Sequence, residues 1–91
     1  MYKIGHGNGY EKKLLKFLKN HPNLIKKYEK TIFILESNPS HPSLRLHKLQ
    51  GKLKEYYSVS LDMEYRLIID FMIIDNVIYL IDIGSHDEVY K

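Results

Sequence analysis

The chain has 91 residues, enough for one domain over 1–91 with a small core and too few for a second. Its 44% hydrophobic content excludes a disordered chain, and the absence of cysteine excludes disulfides and thiolate chemistry. The formal charge of +3 is unevenly spread: up to Lys54 there are 12 Lys and Arg against 3 acids, and from Glu55 onward 8 acids face only Arg66 and Lys91. A basic half of this kind suits an anionic partner, nucleic acid being the commonest, or lysines that only solvate two amphipathic helices. Charge alone does not choose between them. No apolar run is long enough to cross a bilayer, and Met1-Tyr2-Lys3-Ile4-Gly5 lacks the apolar core of a signal peptide, so a soluble, cytoplasmic chain without membrane contact is expected.

Residues 1–4 suit a short edge strand, and Gly5-His6-Gly7-Asn8-Gly9 reads as a loop. That loop lacks the Lys-Ser/Thr of a nucleotide-binding phosphate loop. From Tyr10 the period is helical, with Tyr10, Leu14, Phe17 and Leu18 on one face and Lys12, Lys13, Lys16 and Lys19 toward the other. Asn20-His21-Pro22 breaks this helix, with Asn20 or His21 as a candidate cap for the next. Leu24, Ile25, Tyr28, Ile32 and Leu35 then form a second helical stripe, closed by Ser37-Asn38-Pro39-Ser40-His41-Pro42. The short break predicts an antiparallel helical hairpin.

After residue 54 the pattern changes to strands: Glu55–Leu61, Tyr65–Ile74 and Val77–Ile83, with Asp75-Asn76 as a two-residue hairpin turn. The expected fold is therefore α+β: an N-terminal antiparallel helical hairpin packed on a small, twisted, mainly antiparallel sheet of three to four strands.

Three segments carry candidate chemistry. His41 to Lys54 holds four cationic side chains, the candidate RNA contacts Arg45, Lys48, Lys52 and Lys54, together with His41 and His47. Leu44, Leu46 and Leu49 would pin this stretch to the core and aim the polar groups outward. In the strand after Glu64, period two puts Glu64, Arg66, Ile68 and Asp70 on one face and Tyr65, Leu67, Ile69 and Phe71 on the other. That charged face is either a site or simply wet. Gly84 ends the last strand and leaves His86 in a loop just beyond it, with Asp87 or Glu88 available to orient it. The five histidines form no His-x-x-x-His or Glu-x-x-His pair on a predicted helix, so neither a metal nor another cofactor is expected.

The order of these parts resembles a known family. Two lysine-rich helices, then His41-Pro42-Ser43-Leu44-Arg45-Leu46-His47-Lys48-Leu49-Gln50-Gly51-Lys52-Leu53-Lys54, then Tyr65-Arg66-Leu67-Ile68-Ile69, then Asp82-Ile83-Gly84-Ser85-His86-Asp87-Glu88-Val89-Tyr90, is similar to the RelE/ParE superfamily of type II toxin–antitoxin toxins, in its YafQ-like branch. The resemblance covers nearly the whole chain from Tyr10.

The resemblance implies an mRNA endonuclease that works in the ribosomal A site, inhibits translation and is silenced by an antitoxin protein. Such chemistry uses a ribose 2′-hydroxyl to attack the adjacent phosphate, and needs a base, an acid and cations. On this likeness His47 is the base or phosphate-orienting group, His86 the general acid, Arg66 the phosphate clamp and Tyr90 the aromatic that holds substrate. Lys52 and Lys54 fall where relatives contact RNA. Relatives often carry a histidine where this chain has Ser60 and an aspartate where it has Glu64, so Glu64 is a further candidate base. The alternatives are a ParE-like inhibitor of DNA gyrase, which needs no acid–base residues, and a non-catalytic RNA-binding relic.

Overall fold

The computed structural model describes residues 1–72 and 75–90. Strand β1 (Lys3–His6) leads into helix α1 (Tyr10–Asn20), a 3-10 turn at Pro22–Leu24 and helix α2 (Ile25–Ser37). A second 3-10 turn, Pro42–Leu44, precedes strand β2 (His47–Lys48), and a third, Gly51–Leu53, precedes β3 (Tyr57–Ser60). Strands β4 (Tyr65–Met72) and β5 (Val77–Ser85) follow, and a single helical turn, α3 (His86–Val89), closes the fold. One sheet holds all five strands in the order β1-β5-β4-β3-β2. Only β1 runs parallel to its neighbour, with Lys3 beside Val77 and His6 beside Leu80.

The fold is α+β as expected, with corrections. The helices follow β1 rather than opening the chain, and the sheet has five strands rather than three or four; with one parallel pair it is still mainly antiparallel. The expected loop at residues 5–9 contributes Gly5 and His6 to β1. Gly5 lies opposite Tyr79, and a Cβ there would sit 2.7 Å from the Tyr79 ring, so the ring takes the space a side chain would fill. His21 occupies the cap position before Pro22, but its side chain makes no cap bond. Its ring stacks instead near Phe17 and Tyr65, with centroids 4.5 and 4.7 Å away. The last two residues of the expected third strand, Ile73 and Ile74, lie outside the described residues. Asn76 takes φ 53°, the left-handed region that asparagine tolerates in turns.

Helices α1 and α2 cover one face of the sheet. Tyr10, Phe17, Leu24, Tyr28 and Leu35 meet Val59, Leu67, Ile69, Ile78, Leu80 and Ile83 there, with Leu44 closing the edge. The two buried phenols bridge the helices, Tyr10 Oη to Tyr28 Oη at 2.8 Å. The stripe of α2 differs from expectation at two positions: Ile25 is exposed and Thr31 is buried, its hydroxyl donating to the Lys27 carbonyl at 2.8 Å.

Strict alternation along β5 would drive Asp82 into this core. A bulge prevents it. Ile69 pairs with Leu80 but Ile68 pairs with Asp82, so Ile81 is the extra residue and Ile83 is the side chain that packs inward. Asp82 is left to accept from Lys13 at 2.9 Å.

The opposite face of the sheet is not simply wet. Ile68 is buried beneath Leu49 and Val89, with Leu53, Tyr56, Ile81 and Tyr90 packed around them. The four leucines of the basic segment therefore split: Leu44 and Leu46 join the helix-side core, and Leu49 and Leu53 join this second one. The segment crosses the edge of the sheet between them, and this crossing positions the site.

Candidate functional site

His47 stands in β2 directly opposite Ser58 of β3, which in turn pairs with Ile68 of β4. Directly opposed residues share a face, so His47, Ser58 and Ile68 form one row across the second face. The row exists because the chain turns sharply just before it. Arg45 sits at φ 49°, ψ 46° after the Pro42–Leu44 turn, and its carbonyl lies 3.2 Å from His47 Nδ1. A carbonyl only accepts, so Nδ1 donates in this bond. In the neutral ring Nε2 is then the accepting nitrogen.

Tyr90 reaches the same row from the other end of the chain. Its phenol donates to Ser58 Oγ at 2.6 Å, and Ser58 is fully buried. Tyr90 is placed by α3, which the sequence presents as a loop and which is a helical turn. Ser85 and Glu88 form a reciprocal capping box: Glu88 N donates to Ser85 Oγ at 3.3 Å and Ser85 N to Glu88 Oε1 at 2.9 Å. Strand β5 runs through Gly84 to Ser85 instead of ending at Gly84, so His86 is the first residue of the turn. The His86 ring packs edge-on against Tyr90, centroids 4.2 Å apart at 83°. Its side chain is 65% exposed, and Nδ1 lies 3.7 Å from Asp87 Oδ1.

His47, Lys48, Leu49, Gln50, Lys52, Leu53 and Tyr90 line a groove of about 410 Å³. Its floor is apolar, from Leu49, Leu53 and the Tyr90 ring, and its rim carries two ammonium groups and the imidazole. Such a surface suits a planar base stacked over an anionic backbone.

The structure thus brings four expected site residues, His47, Lys48, Lys52 and Tyr90, to one groove, and joins His86 to it through the Tyr90 ring. Arg66 lies in β4 between Ser60 and Gly84, and its Nε is buried with no hydrogen-bond partner among the described residues. Glu64 is not among the groove's lining side chains; it precedes β4, is exposed, and is tied to α3 by its carbonyl, which accepts from His86 N at 3.3 Å. Arg45 and Lys54 are exposed and are not among the groove's lining side chains. Sequence reasoning missed Ser58, Gln50 and the second apolar cluster. The signal for Ser58 was present in the alternation of Tyr56, Ser58 and Ser60, which puts all three on the face of Arg66 and Ile68. Among the described residues no three His, Asp or Glu side chains gather as a metal site.

A small basic chain with two helices on one face of a five-stranded sheet, and a histidine–tyrosine groove on the other, has the architecture of bacterial toxin domains. The chain has a YafQ-like fold. It superimposes on YafQ from E. coli strain BL21(DE3) with a TM-score of 0.80 and 17% identity, covering 100% of both chains. A metal-bound toxin from Helicobacter pylori gives a TM-score of 0.81 and 27% identity over 99% of this chain and 100% of that one. The E. coli DinJ–YafQ toxin–antitoxin complex gives 0.78 and 20% identity over 99% and 98%. No sequence-family model matches the chain, and no curated protein matches it. Among the described residues no helix is long and apolar enough to cross a membrane.

Proposed function

We propose that the protein is the toxin of a type II toxin–antitoxin pair and cuts mRNA in the ribosomal A site. The observation that carries this reading is the convergence of His47 and Tyr90 on Ser58, from the basic and C-terminal segments, with His86 packed edge-on against Tyr90. In this reading Nε2 of His47 takes the proton of the ribose 2′-hydroxyl as its oxygen attacks phosphorus. The bond to the 5′-oxygen breaks, His86 protonates that oxygen, and a 2′,3′-cyclic phosphate remains. The ammonium groups of Lys48 and Lys52 on the groove's rim, with the Arg66 guanidinium from β4, would stabilise the charge that builds on the phosphate oxygens. Arg45 and Lys54 extend the cationic rim along the RNA, and Tyr90 stacks on a base. Glu64 keeps the position of His86 through its carbonyl.

The same reading supplies a partner. The helix-side lysines and the groove form a basic surface suited to an antitoxin with an acidic or amphipathic segment, as the likeness to the DinJ–YafQ complex suggests. Its action is to cover the groove.

The test is incubation of the purified protein with mRNA, with and without ribosomes stalled on it, followed by primer-extension mapping. Cuts inside the A-site codon are expected only with ribosomes. His47→Ala and His86→Ala should each lower the rate by about 10²–10⁴-fold, the range for losing one acid–base group. Intact codons, under conditions where a related toxin cuts, would overturn the reading. A gyrase supercoiling assay run beside it separates the ParE-like alternative.

A further inference from the structure

A second cleft, of about 370 Å³, opens beside α2 at the same sheet edge, lined by Lys27, Lys30, His41, Ser43 and Ser60 over an apolar floor. No carboxylate lines it, and among the described residues neither lysine has an acidic partner. Another lysine-lined cleft, beside α1, differs in this respect: it holds Asp82 and Glu88, and Lys13 is already bound to Asp82 at 2.9 Å.

The donors of the second cleft are set by local bonding. His41 Nδ1 lies 3.1 Å from Ser43 N and 2.8 Å from Ser43 Oγ. A backbone N–H only donates, so Nδ1 accepts and the proton of the neutral ring resides on Nε2. The Thr31 and Ser60 hydroxyls are used internally, on the carbonyls of Lys27 and Asp62. What remains for a ligand is two ammonium groups and one imidazole N–H, an arrangement of donors without acceptors that suits an anion with several oxygens.

We infer that this cleft binds a phosphodiester of RNA, as a second anchor for the strand whose scissile phosphate lies in the His47 groove. The inference rests on the nuclease reading for the identity of the polymer. The geometry links the two sites. Ser43 and His47 are four residues apart, so no more than about 14 Å of chain separates them. Between them the chain crosses the sheet edge, with Arg45 exposed at the crossing. A few nucleotides would wrap that edge from one cleft to the other. The phosphodiester can belong to the message or to ribosomal RNA, and the two sources are separable.

The experiment compares Lys27→Ala/Lys30→Ala with Lys12→Ala/Lys19→Ala, which removes the same charge from exposed positions on α1. Affinity is measured against salt concentration for a short fluorescein-labelled single-stranded RNA and, separately, for message-free ribosomes. Losing one phosphate contact should flatten the slope of log K against log salt by about 0.7, and losing two by about 1.4. Flattening on the free strand, beyond that of the α1 pair, assigns the cleft to the message; flattening on ribosomes alone assigns it to ribosomal RNA. Equal slopes for the two double variants on both ligands would overturn the inference. The readout is binding, so failure here leaves codon cutting by the wild type intact. Absence of cutting with a flattened slope would instead remove the nuclease reading and keep the cleft.

Discussion

The Tyr90 phenol donates to the buried Ser58 hydroxyl at 2.6 Å, and this bond ties the C-terminal turn to the centre of the sheet. Tyr90→Phe strands a buried hydroxyl and should cost about 1–3 kcal/mol. For a domain of this size each kcal/mol lowers Tm by about 4–8 °C. Adding Ser58→Ala should recover most of the loss, because an apolar pair leaves nothing unsatisfied. A double-mutant cycle read by thermal unfolding checks this; additive losses would show that the two hydroxyls do not depend on each other.

Helix α3 carries both His86 and Tyr90, and its capping box fixes where it begins. Ser85→Ala removes one half of the box and should cost about 0.5–2 kcal/mol locally. Glu88→Gln keeps an acceptor for Ser85 N and should cost less. The expected functional result is a lower cleavage rate for Ser85→Ala with RNA affinity little changed, since neither residue lines the groove. Hydrogen exchange of residues 86–90 provides the structural check.

The Tyr10–Tyr28 pair should make stability sensitive to alkali. Burial pushes both phenols above their ordinary value, with the neighbouring Tyr28 adding to the effect at Tyr10. In the unfolded chain tyrosine ionises near pH 10. The folded values are raised, so the stabilisation is fully present below about pH 10 and is lost as pH rises from there toward the folded values. Tm measured from neutral pH upward should hold steady and then fall above about pH 10. Tyr10→Phe/Tyr28→Phe should soften that fall.

Gly9 precedes α1 at φ 78°, where a Cβ meets no neighbour but the backbone itself is strained for an L-residue. Gly9→Ala should cost about 1–2 kcal/mol, and Gly9→Asn less, because asparagine tolerates this region. Equal Tm values for Gly9→Ala and wild type would show that the turn relaxes.

The helix-side core was legible in the sequence because its periods are clean: Tyr10, Phe17, Leu24, Tyr28 and Leu35 on the helices, and Tyr65, Leu67, Ile69 and Phe71 along β4. The His47, Lys48, Lys52 and Tyr90 groove was legible through the order of its motifs. Three things were not. Strand β2 is two residues long, below what alternation can reveal. The bulge at Ile81 shifts Asp82 and Ile83 by one position, and nothing local marks it. The parallel pairing of β1 with β5 joins segments some seventy residues apart, and a glycine-rich stretch reads as a breaker unless the Tyr79 ring above Gly5 is known.

That parallel pairing also sets a sequence of events during synthesis. Lys3–His6 are made some seventy residues before Val77–Leu80, the strand residues beside which they lie. At roughly 5–20 residues per second the early strand waits for seconds with its backbone donors unclaimed. Contacts this distant along the chain form slowly. That edge of the sheet therefore closes late, after the β2–β3–β4 pairing under His47 has become available.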